Sequence, residues 1–212
     1  IIQTCHGTTP ELEQPNPKAK LFVSISEEVQ SHLKSKGFES VVIRNGIDCD
    51  RFSPKEPINE TPKVILSMCH DERANKVIQQ VCTSIGATLI RLNKNVDPQF
   101  NVEDYILSAD LVFGLGRSAY ESMACGRPTF VYDQRSYIGA MGDGMITKDN
   151  FHELAKKNCS GRSKRLPMTS EDIVKEIRLH YSRELGMDMR ELALEELNIE
   201  KQMDKYLTLI TK

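Results

Sequence analysis

The stretch Gly114-Leu115-Gly116-Arg117-Ser118-Ala119-Tyr120-Glu121-Ser122-Met123-Ala124-Cys125-Gly126-Arg127-Pro128 concentrates the residues of this chain that could do chemistry. Apolar runs flank it, Leu111–Phe113 before and Thr129–Tyr132 after, so it reads as strand, glycine turn, short helix over Ala119–Cys125, and strand. A helix start of this kind offers free main-chain N–H groups and a partial positive charge, which suits a phosphate. Gly114 and Gly116 would let the backbone approach a diphosphate, with the amides of Ser118 and Ala119 pointing at it. The same Gly-x-Gly is also what a tight strand-to-helix turn needs. Arg117 fits either a phosphate clamp or a solvated surface position. Ser118-x-x-Glu121 has capping-box spacing, in which Glu121 would reach back to the first N–H of the helix.

These residues need a frame. Strand-like runs at Leu21–Ser24, Val41–Arg44, Val64–Ser67, Thr88–Leu92, Leu111–Phe113 and Thr129–Tyr132 alternate with helical patterns at Glu27–Lys36, Ala74–Ile85, Val102–Ala109 and Ala119–Cys125. Alternation of this kind predicts βαβ units around a parallel sheet, an α/β fold. Ser26 before Glu27-Glu28 makes a sound helix start, and Gly37 and Gly86 are plausible stops. Pro54, Pro57 and Pro62 mark a stiff polar connector over residues 51–62. Beyond residue 134 the pattern changes: Gly139, Gly142 and Gly144 predict a mobile loop, and Ser160–Pro167 is basic and polar. Two helices are expected to close the chain, the first from Thr169, the last with an apolar stripe at Met189, Leu192, Ile199, Met203, Tyr206 and Ile210 that is interrupted by Glu196.

Bulk properties narrow the function classes. The 212 residues carry a formal net charge of −2, which gives no basic field for nucleic acid. No apolar run approaches the ~18 residues of a membrane helix. The six cysteines are dispersed without CxxC spacing, which fits buried, reduced thiols and a cytoplasmic setting better than disulfides or zinc. The chain opens on Ile1-Ile2, and reads as a piece of a longer polypeptide. Asp48-Cys49-Asp50 is formally a DxD, but it follows Asn45-Gly46-Ile47, where Asp and Asn are turn residues, so no metal site is expected there.

Three motifs together resemble the GT-B glycosyltransferases, especially the family-4-like group, over roughly residues 20–135. Gly116–Pro128 resembles the signature of their C-terminal domain. Val23-Ser24-Ile25-Ser26-Glu27-Glu28-Val29 looks like their serine-glutamate helix start. Asn45-Gly46-Ile47-Asp48 with Arg51-Phe52-Ser53-Pro54 looks like the link between their two Rossmann domains. The resemblance implies a Rossmann-like parallel sheet flanked by helices. Residues 1–53 would be the tail of an N-terminal Rossmann domain plus the link, residues 54–186 the nucleotide-sugar-binding domain, and residues 187–212 a helix packing back on the body.

The resemblance also implies roles. Glu121 matches a glutamate that contacts the ribose hydroxyls of the donor, as a carboxylate accepting from two adjacent hydroxyls can do. Gly114, Gly116, Arg117, Ser118 and Ala119 would complete the donor site. The family supplies an Arg and a Lys five apart after the first strand of this domain; Lys76 fits the lysine, while Asp71 stands at the arginine position, with Arg73 or His70 as substitutes. Both Lys76 and Arg73 also read as an exposed helix face. His6, in Cys5-His6-Gly7, matches a His-Gly that faces the donor sugar, and equally suits a local hydrogen-bonding role before a turn. Phe113 stands where the family has a sugar-contacting glutamate, a departure that bears on sugar recognition. Base selection is expected near Leu92–Asn93 and Asn101.

The function so implied is a hexosyltransferase-like glycosyltransferase, or its donor-binding part. It would move a sugar from a nucleoside-diphosphate sugar to an acceptor without a metal. The nucleotide sugar is then a substrate, and no cofactor is expected. Expected partners are that donor, an acceptor (glycan, lipid or protein) and the remainder of the N-terminal half, with peripheral membrane association left open. Alone, the chain is expected to bind donor and turn over poorly. Two further readings stand: a non-catalytic sugar-nucleotide-binding or partner module of the same ancestry, motivated by Phe113 and Asp71, and a GT-B-type sugar-nucleotide epimerase.

Overall fold

The computed structural model describes residues 1–93, 95–96, 98–135 and 141–211. The chain is α/β, with two mainly parallel sheets flanked by helices in a Rossmann-like arrangement. The smaller sheet holds β1 (Ile2–Cys5), β2 (Leu21–Ser24) and β3 (Val41–Val42), all parallel and in that order, with α1 (Glu27–Ser35) crossing between β2 and β3. Ser26 starts α1 as expected: its Oγ accepts from the Val29 amide at 3.4 Å. Cys5, Phe22, Ile25, Val29 and Leu33 form a core of their own here.

The larger sheet has the order β5-β4-β6-β7-β8, built from β4 (Val64–Ser67), β5 (Thr88–Arg91), β6 (Leu111–Phe113), β7 (Thr129–Val131) and β8 (Gly144–Met145). Only the β7–β8 pair is antiparallel. β6 and β7 are short apolar runs with every residue buried, as strands covered on both faces require. α2 (Glu72–Ile85), α3 (Val102–Ser108) and α4 (Arg117–Ala124) supply the crossovers. α2 turns Ala74, Ile78, Val81 and Cys82 inward, and stops at Gly86, whose φ of 72° suits glycine. The chain steps from β4 outward to β5, then returns past β4 to β6. The direction of winding therefore reverses between β4 and β6, and the carboxyl ends of those strands open a crevice suited to a ligand.

The connector before β4 is docked, not free. Asp110 accepts from the amides of Asn59, Lys63 and Val64 at 2.8–2.9 Å and from the Asn59 side chain. Asp48 is a turn residue, with Oδ1 accepting from the amides of Asp50 and Arg51. All six cysteines are buried and free.

Two segments depart from the sequence expectation. Where a glycine loop is expected, Gly144 belongs to β8 on the edge of the sheet, and the Met145 amide donates to Glu176 Oε1 at 2.8 Å; Gly139 lies outside the described residues. The basic stretch that follows is pinned by Asp143, which accepts from the amides of Lys164 and Arg165, after a short α5 (Phe151–Ala155). α6 (Ser170–His180) begins on a Thr169–Asp172 capping box.

The closing segment is also not one helix. α7 (Arg183–Leu192) passes through a wide turn at Ala193–Leu197 to an extended Asn198, and α8 (Ile199–Ile210) follows. The break arises where Asn198 bridges to Ile47 and the amides of Ile47 and Ile199 bond across. Gly46 allows this approach, since a Cβ there would lie 2.9 Å from the Ile199 Cα. The apolar stripe divides accordingly: Met189 and Leu192 are buried, while Ile199, Met203 and Ile210 are exposed on α8. Tyr206 reaches the smaller sheet at Thr4, hydroxyl to hydroxyl, at 2.9 Å.

Candidate functional site

A cavity of about 420 Å³ lies in the crevice at the reversal point, lined in part by Met68, His70, Leu92, Arg117, Ser118 and Glu121. Gln99 and Val102 close one side and Arg135 another. The carboxyl ends of β4, β5, β6 and β7 thus each send at least one residue to it.

The turn between β6 and α4 is fixed by its glycines. Gly116 has φ 53° and ψ −120°, and the Ser118 amide donates to Leu115 O at 3.2 Å. That is a type II′ turn with glycine at its first central position, a conformation that strongly favours glycine. Gly114 is needed for close approach: a Cβ on it would lie 3.1 Å from the Ala119 nitrogen and from Ser118 Oγ. Ser118 Oγ accepts from the Leu115 amide at 2.9 Å and donates to Leu115 O.

The helix therefore starts earlier than the expected Ala119, at Arg117, with Gly116 as its flanking residue and no side-chain cap. The Ser118 amide, expected to face a phosphate, is spent on the turn. Among the described residues, the amides of Arg117 and Ala119 meet no acceptor. Ala119 itself is wholly buried, so the cavity wall is made by Arg117 and Ser118.

Glu121 is the most deeply set carboxylate of this cavity, 9% exposed. It forms no capping box. Arg117 Nε donates to its Oε1 at 2.8 Å, one helical turn back, while the Arg117 side chain stays largely exposed. Burial pushes the Glu121 carboxyl above its ordinary pKa, and Arg117 draws it part of the way back. The site thus holds a carboxylate acceptor beside a guanidinium.

The other expected residues lie elsewhere. Lys76 is exposed on α2 and is not part of the cavity lining. Arg73 pairs with Asp71 at 2.9 Å and its guanidinium also meets Gln134 O. Asp71 caps α2, accepting from the amides of Arg73 and Ala74, and its carboxyl is held below its usual range by the Arg73 side chain and these amides. His6 is exposed at the end of β1, away from the cavity lining. Phe113 is wholly buried and packs on Phe130, ring centroids 5.0 Å apart, so its ring belongs to the core of the sheet.

Of the α2-side substitutes, His70 does reach the cavity. Arg135 is a cation that the sequence reading did not single out; it lines the cavity and pairs with Asp133, whose side chain is fully buried. Its only sequence signal is its place just beyond the strand that follows the Gly-x-Pro stop. Leu92 and Val102 give the cavity an apolar side near the expected base-selecting region, whereas Asn93 and Asn101 are not in its lining.

The thiols offer no nucleophile: burial raises Cys69, Cys125 and Cys159 to about 12, far from thiolate at neutral pH. No helix among the described residues is long and apolar enough to cross a membrane. Comparison with protein-family models gives no match, and comparison with curated proteins gives none.

Proposed function

We propose that the cavity is the donor site of a glycosyltransferase, holding a nucleoside-diphosphate sugar that is transferred to a separate acceptor. The observation that carries this reading is the juxtaposition at the reversal point. An uncapped helix start and a buried carboxylate stand on one wall, and further polar and cationic groups face them.

Each part has a task. The Arg117 guanidinium, His70 and Arg135 surround the space where a diphosphate carries its charge, with the start of α4 behind it. As the sugar leaves, negative charge grows on that diphosphate, and fixed donors stabilise it without reorganising. One helix start contributes only ~0.3–1 kcal/mol, so the side-chain cations must supply most of the effect. Glu121 accepts from the two ribose hydroxyls, exchanging part of its Arg117 contact for them. Leu92 and Val102 offer an apolar bed to the base. Neither Lys76, Arg73 nor His6 is assigned a role within the cavity.

The test is calorimetry of the chain against a panel of nucleoside diphosphates. One nucleotide should bind, and Glu121→Ala should weaken it at least tenfold, the loss of a charge-assisted contact. Absence of binding by every nucleotide would refute the donor site. It would favour a partner module instead, the reading supported by Phe113 in the core and Asp71 as a helix cap.

A further inference from the structure

On the side away from the cavity, the Gly116 turn rests on residues 156–162. The Gly116 amide donates to Cys159 O at 3.1 Å, and a Cβ on Gly116 would come within 2.9 Å of Asn158 Nδ2. Asn158 and Cys159 are consecutive non-glycine residues with φ 56° and 43°. A left-handed pair of this kind is strained, and persists only where its surroundings hold it.

The Asn158 and Cys159 amides donate to Ala155 O and Leu154 O at 2.9 Å, and further support comes from the smaller sheet. The Glu28 amide at the start of α1 donates to Lys156 O at 3.0 Å. The Glu28 carboxylate accepts from Arg162 Nη2, and both side chains are about three-quarters buried. The same junction contains Arg44, whose Nη2 donates to Glu27 Oε1 at 2.9 Å. Glu27 Oε2, Arg44 Nε, Asn158 Oδ1 and Arg162 Nε are buried with no hydrogen-bond partner among the described residues. Residues 156–162 are thus held locally by their own hydrogen bonds and by the buried Cys159, and the Glu28–Arg162 pair with the Glu28 amide ties them to the smaller sheet.

We infer that Glu28 and Arg162 are positioning residues for the diphosphate turn. Through Lys156, Asn158 and Cys159 they fix the Gly116 amide, and so couple the smaller sheet to the start of α4. This inference rests on the donor-site reading given above, because it assigns a consequence to the orientation of that turn.

Two measurements on the full chain test it. The first is the affinity for whichever of UDP, GDP, ADP, CDP and dTDP the wild type binds tightest. The second is hydrogen exchange of the Gly116 amide, which needs no ligand. Arg162→Ala and Glu28→Gln should each weaken nucleotide binding about fivefold, the upper range for a partly exposed pair, and speed Gly116 exchange. Arg162→Lys should keep most of the affinity, and the exchanged pair Glu28→Arg with Arg162→Glu should restore it. A pair with a structural role alone would lower Tm but leave nucleotide affinity and Gly116 exchange, read below the melting range, at their wild-type values. Wild-type affinity and wild-type Gly116 exchange in Arg162→Ala would overturn the inference. If the wild type binds no nucleotide, the donor-site reading fails, and the exchange measurement still decides whether the pair holds the turn.

Discussion

Gly116→Ala is the sharpest test of the turn geometry. At φ 53° and ψ −120° an alanine pays for a backbone conformation that only glycine adopts freely, about 1–3 kcal/mol. Its Cβ would also meet Asn158 Nδ2 at 2.9 Å, and an overpacked contact adds about 1–3 kcal/mol more when the neighbour cannot move. The Asn158 amide is the far end of a side chain, so it gives way in part, and the sum is about 2–4 kcal/mol. A domain stable by about 5–15 kcal/mol survives this, so the variant folds and can be assayed. The expected fall in Tm is about 5–15 °C for a chain of this size. Gly37→Ala is the control: φ is 85° but nothing lies within 4 Å, so only the backbone cost remains, about 1–2 kcal/mol. Urea unfolding measures both variants, and calorimetry with the wild type's preferred nucleoside diphosphate, below the melting range, measures the site. Gly116→Ala should lose more stability than Gly37→Ala and should also lose nucleotide affinity, which Gly37→Ala keeps. Equal destabilisation of the two, or full nucleotide affinity in Gly116→Ala, would refute the claim that this turn is both strained and part of the site.

Glu121→Gln should raise the stability of the unliganded chain at neutral pH. Burial holds the wild-type carboxyl above its ordinary pKa, so the wild type is penalised as pH rises through the folded value; the advantage of the variant should vanish as pH falls below the unfolded value, in a Tm series against pH. Asp110→Asn should do the opposite. Burial opposes ionisation of Asp110, but the amides of Asn59, Val64 and Lys63 outweigh it and hold the carboxyl below its usual range. The stabilisation is thus present above the unfolded pKa and lost as pH falls through the folded one. The variant should cost about 1–3 kcal/mol at pH 7 by urea unfolding, with the gap narrowing in acid. Arg135→Ala should weaken nucleoside-diphosphate binding at least tenfold, as loss of a charge-assisted contact does, whereas Lys76→Ala, outside the cavity lining, should leave calorimetric affinity unchanged.

Much of the larger sheet is legible in the sequence because its strands are short apolar runs with no competing period. Val64–Ser67 and Leu111–Phe113 have the bounds expected from pattern alone. Ser26 and Thr169 reveal helix starts because their caps are local, settled within three residues. The misses are tertiary. Gly144 looks like loop, but becomes strand by pairing with Val131 and facing Glu176. The final helix looks continuous through residue 198, because the Ile47–Asn198 bridge that breaks it joins residues far apart in sequence. At the candidate site the Gly-x-Gly turn and Glu121 are legible as a unit. The partner of Glu121 is not, because Ser118 has the right spacing for a capping box and only the position of the helix start, at Arg117 rather than Ala119, gives the carboxylate to Arg117 instead.

Two helices begin at the reversal point, and they are not equivalent. α2 follows β4 and is closed by Asp71, which takes the amides of Arg73 and Ala74 and places a negative charge where an anion would have to sit. Arg73 is then held by Asp71 and by Gln134 O, so the cation nearest that helix start is already engaged. α4 follows β6 with no side-chain cap, and Arg117 at its first position is largely exposed. Arg73 and Arg117 each carry a paired carboxylate, so what distinguishes the two sides is the helix start, closed by Asp71 at α2 and uncapped at α4. For the proposed donor site, this difference would make Asp71 in place of an arginine tolerable, with the diphosphate taken by the start of α4 and Arg117 and Arg135 as the neighbouring cations. The proposed donor would then lie with its diphosphate against α4 and Arg135 and its base toward Leu92 and Val102. A diphosphate bound against the start of α2 would instead have to displace Asp71 from the amides of Arg73 and Ala74.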